Sequence, residues 1–115
     1  MMDVDLAERL LRFAVNTIKF LKILSNSPEY SIIKYQLTKS ASSAGANYEE
    51  AQAASSRADF KNTILISLRE MRESNYWYKI INELDTGQNE RLLSLLDESE
   101  QLKKILGSIC SKLQK

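Results

Sequence analysis

The chain has 115 residues, of which 43% are hydrophobic and 27% charged, and a net charge of +1; it contains three glycines, one proline and no histidine. That length suits one domain, residues 1–115, able to bury a core without disulfides or a structural metal, and so little turn chemistry favours long helices with short connections. The missing histidine excludes Ser-His and Cys-His nucleophile pairs, histidine general bases and the Glu-x-x-His ligands of di-iron bundles.

Cys110 is the single cysteine, so no internal disulfide forms and a reducing compartment is expected. It reads as a small buried apolar residue, since a low-pKa thiolate needs a basic partner and an accessible pocket. The start, Met1-Met2-Asp3-Val4-Asp5, is acidic where a signal peptide is basic. No apolar run approaches the roughly 18 residues of a membrane span, which makes the cytoplasm the expected location and a membrane role unexpected.

In chain order, Asp3 or Asp5 is positioned to cap a first helix whose stripe is Leu6, Leu10, Phe13, Thr17, Phe20 and Leu24, widened by Leu11, Ile18 and Leu21. This helix is expected to stop near Ser25-Asn26, because Ser27-Pro28 restarts the pattern with an N-cap and a proline at the first helical position. The second helix carries Tyr30, Ile33, Leu37, Ser40, Ala44, Asn47, Ala51 and Ala54, a stripe that starts bulky and ends small. Gly45 in its middle costs about 1 kcal/mol against alanine, and close approach of a neighbouring backbone is its expected compensation.

Ser56 is the expected cap of a third helix, with Asp59 in a box-like position and a stripe of Phe60, Ile64, Ser67, Met71, Ser74, Tyr78 and Ile81. Folding these two helices back at Ser55-Ser56 sets Ala51 beside Phe60, Ala44 beside Ser67, Ser40 beside Met71 and Ile33 beside Tyr78, to within about two residues. Thr86-Gly87 is expected to end the third helix with a left-handed glycine. Asn89 then caps a fourth, lined by Leu92, Leu95, Leu96, Ser99, Leu102, Leu106, Ile109 and Leu113. Four amphipathic helices of about 22 to 30 residues with short links predict an all-α, up-down-up-down antiparallel four-helix bundle.

Carboxylate pairs remain for chemistry: Glu49-Glu50 on the second helix, and Glu70 with Glu73 on the third. In the hairpin register Glu50 lies level with Lys61, which leaves Glu70 about nine residues, or roughly 13 Å, further along. A shared metal needs ligands within about 2.5 Å, so the expected roles are solvation, ion pairing or a polar core contact, with no catalytic residue, metal or cofactor. Asn47 falls on the apolar stripe, where it either fixes register or contacts a ligand; the first is preferred, with its amide paired inside the bundle. Tyr76-Trp77-Tyr78 spans about 200 degrees of helix, so if Tyr78 faces the core, Tyr76 or Trp77 looks towards a groove or a partner.

Charge is uneven along the chain. From Arg9 to Tyr48 the bases are Arg9, Arg12, Lys19, Lys22, Lys34 and Lys39, and the only acid is Glu29. From Glu49 onward the balance is expected to reverse, with acids such as Glu83, Asp85, Asp97, Glu98 and Glu100 on the third and fourth helices. Arg9, Arg12, Lys19 and Lys22, with Asn16 between them, form a basic strip on the first helix. Such a strip binds phosphates, faces a neighbouring subunit's acids, or is an ordinary solvated face.

Ser43-Ala44-Gly45-Ala46-Asn47-Tyr48-x-Glu50-Ala51, then Ser56-x-x-x-Phe60, then Glu70-x-x-Glu73-Ser74-x-Tyr76-Trp77, resembles the bacterial four-helix-bundle proteins named after intervening sequences of 23S ribosomal RNA, relatives of the accessory proteins of diversity-generating retroelements. The resemblance implies a ring-shaped homopentamer, nucleic-acid binding in some members and no enzymatic activity. It also implies that Asn47, Glu50, Phe60, Glu70, Glu73 and Trp77 determine bundle and interface. The expected function is a non-enzymatic homo-oligomer that presents its basic first helix to RNA, DNA or a nucleoprotein; the alternative is a protein-only interaction scaffold.

Overall fold

The computed structural model describes residues 4–85, 87 and 89–114, the side chains of residues 4 and 5 excepted. Four helices follow one another: α1 (Val4–Leu21), α2 (Pro28–Gln52), α3 (Arg57–Leu84) and α4 (Glu90–Leu113). Each packs on its neighbours in sequence and α1 closes against α4, which makes the expected antiparallel bundle, about 45 Å long. Among the described residues no helix is long and apolar enough to cross a membrane.

Local chemistry sets the boundaries. Ser27 is extended and its Oγ accepts from the Tyr30 amide at 3.1 Å, with Pro28 opening α2 where no amide partner is required. Ser56 caps α3 through the Asp59 amide at 3.0 Å, while the Asp59 carboxylate reaches back to the Ser55 amide, also at 3.0 Å, one residue earlier than in a regular capping box. Asn89 caps α4 through Leu92.

Two ends differ from expectation. The α-helix of α1 stops at Leu21 and tightens into three-residue turns, with Ile23 N–H to Phe20 O and Leu24 N–H to Leu21 O. Lys34 of α2 then donates to the Leu24 carbonyl and to Asn26, both at 2.9 Å, and so satisfies this end from outside. At the end of α3, Asp85 is extended and its amide still bonds to Ile81 O; Gly87 is not left-handed but donates its amide to Asp85 Oδ1. Asp3 and Thr86 lie outside the described residues, and Asp5 falls within α1 rather than before it.

The core follows the expected stripes, with Leu10, Phe13, Phe20, Leu37, Ile64, Met71, Tyr78, Leu102 and Leu106 almost completely buried. Leu11 and Ile18 do not widen it, being 53% and 37% exposed, because the α1 stripe is already filled by Leu6, Leu10, Phe13, Thr17 and Phe20. The register between α2 and α3 holds at Ser67, whose Oγ donates to Ala44 O at 2.6 Å; one layer along, Ser40 meets Ser74 at 2.7 Å, three residues past Met71. Gly45 faces Leu10, and a Cβ there would stand 3.4 Å from the Leu10 side chain and 3.6 Å from its carbonyl oxygen, so α1 does approach closely.

Candidate functional site

The basic strip of α1 is where sequence and structure part. Arg9 is gripped by α4: its guanidinium donates to both carboxylate oxygens of Glu98, at 3.0 and 2.8 Å, and to Gln101 at 3.0 Å. A bidentate pair of this kind fixes orientation as well as charge. Arg12 pairs with Glu8 one turn back at 2.8 Å, both exposed, a contact worth only about 0.3 to 0.5 kcal/mol. Lys19 and Lys22 are exposed and form no ion pair among the described residues. The strip is thus a partly neutralised seam near Arg9 that becomes an open basic surface towards the end of α1.

The motif residues of α2 and α3 separate into several environments. Asn47 is half-buried rather than interior, and its amide donates to the backbone oxygen and hydroxyl of Ser43, four residues back on the same helix, at 2.9 and 3.1 Å. Its amide N–H groups thus bond back within α2 rather than to a facing helix. Glu50 is exposed, and Phe60 packs half-buried on the core.

Glu70 and Glu73 lie one turn apart, both half-buried. Burial pushes the Glu70 carboxyl up, Glu73 adds to the shift, and Lys39 of α2 opposes it. Glu73 accepts from the Trp77 indole at 3.0 Å. No group of three or more carboxylate or thiol ligands gathers among the described residues, Glu50 included. Cys110 is buried and its thiol pushed up by desolvation, so it is poorly suited to act as a nucleophile.

The three consecutive aromatics divide as helix geometry requires. Tyr78 is fully buried at the bundle centre between the rings of Phe13 and Phe20, at 5.9 and 6.1 Å, and its hydroxyl meets Thr17 at 2.6 Å. Burial raises its pKa far above the usual phenol range. Trp77 is half-buried, and Tyr76 is 59% exposed, edge-on to Trp77 at 5.9 Å and lining a groove between α3 and α4.

Sequence reasoning missed Asn75, the interior amide that Asn47 was expected to be. At 2% exposure it donates to Ser99 at 2.9 Å and to Glu100 at 3.1 Å, and accepts from Lys103 at 3.1 Å. The signal lay in its position: Asn75 is four residues after Met71 and adjacent to Ser74, on the edge of the α3 stripe that turns towards α4. The Lys103 and Asn75 bonds, with Lys103 and Lys79 nearby, hold the Glu100 carboxyl below the usual range against a smaller effect of burial.

A crystal structure of a protein of unknown function from the S23 ribosomal protein family of Bacteroides thetaiotaomicron matches with a TM-score of 0.81 at 33% identity, over 91% of this chain and 97% of that one. No curated protein matches. The family described as 23S rRNA-intervening sequence protein matches residues 2–108, which takes in α1 to α3 with their motifs and all but the last turn or so of α4. This chain belongs to the 23S rRNA-intervening sequence protein family.

Proposed function

We propose that the chain is a non-catalytic subunit of a bacterial, cytoplasmic homo-oligomer, with five as the expected number of copies, acting as a binding module. One observation carries the assembly reading. Ile23, Ile32, Tyr35 and Leu84 are 59%, 61%, 66% and 52% exposed, and all sit at the end of the bundle where α1 finishes, α2 begins and α3 finishes. Single exposed apolar side chains are ordinary, but four gathered at one end mark a surface to be covered. Covering each is worth on the order of 1 to 2 kcal/mol.

Presentation of α1 to RNA is the second part of this reading, supported by exposed Lys19 and Lys22 beside the weakly paired Arg12. Sedimentation at micromolar concentration tests assembly: the mass is expected to be several times 13.2 kDa, and Ile32→Ser with Leu84→Ser to return it to one chain with helicity intact. A wild-type monomer would overturn it. In the same preparations a structured RNA is expected to bind with an affinity that falls steeply between about 50 and 200 mM salt. An oligomer that leaves RNA unshifted at low salt is the protein-only scaffold.

A further inference from the structure

The groove between α3 and α4 holds a cluster that the linear charge pattern conceals. Arg72, Asn75, Tyr76 and Lys79 of α3 and Lys103 and Lys104 of α4 line an open cleft of about 480 Å³. Four of these six residues are cations. Among the described residues the one carboxylate bonded to this group is Glu100, 3.2 Å from Lys103 and 3.7 Å from Lys79, and it leaves three positive charges in surplus. Arg72 and Lys104 are exposed and form no ion pair among the described residues.

Construction distinguishes this cleft from a solvated basic face. Lys103 is held by Glu100 and by the Asn75 oxygen, and Asn75 is itself bonded to Ser99 in the core, so the floor of the cleft is tied to the core by hydrogen bonds. Tyr76 stands on its wall, 59% exposed, with its ring braced edge-on by Trp77. Exposing a braced aromatic beside unpaired cations brings together the two elements that recognise a nucleotide unit: charge for the phosphate and a ring face for the base. The volume is in the range of small-ligand sites.

We propose that the α3–α4 cleft binds a nucleotide unit, either free or within a single strand, with Arg72 and Lys104 on the phosphate and the base stacked on Tyr76. The site is separate from the basic surface of α1 and from the apolar end assigned to assembly, and its test is independent of both.

Binding of adenosine 5′-monophosphate, inorganic phosphate and a ten-nucleotide oligoadenylate to the full chain is measured at about 50 mM salt, where phosphate contacts are least screened. Wild type is expected to bind the nucleotide, and Arg72→Gln with Lys104→Gln to weaken it by roughly ten-fold or more with oligomer mass unchanged. Tyr76→Ser is expected to weaken the nucleotide roughly ten-fold while leaving inorganic phosphate unaffected. Lys19→Gln with Lys22→Gln is expected to change nothing at this site. With Lys19→Gln and Lys22→Gln in place to remove the basic surface of α1, an oligoadenylate bound at least ten-fold more tightly than the mononucleotide identifies a strand as the source, and equal affinities identify the free nucleotide. Failure of wild type to bind either, equal binding by the Arg72 and Lys104 double variant, or nucleotide binding indifferent to Tyr76→Ser would overturn the proposal.

Discussion

The two seams that α3 makes with its neighbours solve the same packing problem in different ways. Towards α2 the seam is narrow and neutral: Ala44, Ser40, Ser67 and Ser74 are all completely buried, and their hydroxyls bond across or back to the backbone without help from a charge. Towards α4 it is thicker, with Leu92, Leu102 and Leu106 in the core, and its polar member Asn75 is linked through Glu100 and Lys103 to the surface. Small hydroxyls allow two helices to close completely because each finds a backbone carbonyl within reach. An amide needs more partners, and supplying them from charged side chains keeps the groove open above it. The difference teaches that the location of a buried polar group decides whether an interface becomes sealed or becomes a site.

The sharpest way to break the first seam is to add volume. Ala44→Leu inserts three heavy atoms where the backbone oxygen of Ala44 already receives Ser67, and the expected loss is about 3 kcal/mol in urea unfolding, the upper part of the overpacking range. A loss below about 1 kcal/mol would show that α2 and α3 have slack. The second seam is probed by removing its amide. Asn75→Ala is expected to cost about 2 kcal/mol, from the vacated volume and from lost partners for Ser99 and Lys103. Asn75→Leu is expected to recover only the part that comes from vacated volume, since Ser99 and Lys103 still lose their partner.

The smallest effect is a difference in pH response. Glu100 is held below its ordinary value, so its stabilisation is present above the unfolded carboxylate value and is lost as pH falls through its lower folded value. Glu70, raised by burial and by Glu73, works the other way: its contribution is present below the unfolded value and is lost as pH rises through the folded one. Acidification below the usual carboxylate range is therefore expected to lower the urea midpoint, and Glu100→Gln to flatten that decline while Glu70→Gln leaves it. An unchanged decline in Glu100→Gln would show that the α3–α4 network does not carry the acid sensitivity.

Much of the architecture was legible because the responsible rules are local. Ser27-Pro28, Ser56 and Asn89 act within one turn of themselves, and the spacing of Leu92, Leu95, Leu102 and Leu106 marks a face without reference to any other helix. Asn47 and Asn75 show where local reading stops. Both sit near apolar stripes, and whether an amide is buried depends on how far the neighbouring helix extends over it, a property of two helices at once. Charge was misread for the same reason. Counting along the chain made the second half acidic, whereas Arg72, Lys79, Lys103 and Lys104 converge only after α3 and α4 are set side by side. Arg9 likewise looked available until Glu98 arrived from the opposite end of the sequence.

That last contact bears on how the chain finds its fold. The seams of α2 with α3 and of α3 with α4 join helices adjacent in sequence through connections of a few residues, so each hairpin closes at little entropic cost, and a chain built from such contacts is expected to fold within milliseconds. Only the packing of α1 on α4 must bring together residues as distant as Arg9 and Glu98, 89 positions apart. Their ion pair is placed to act as a latch that forms late, slowing the opening of the finished bundle more than it hastens its assembly.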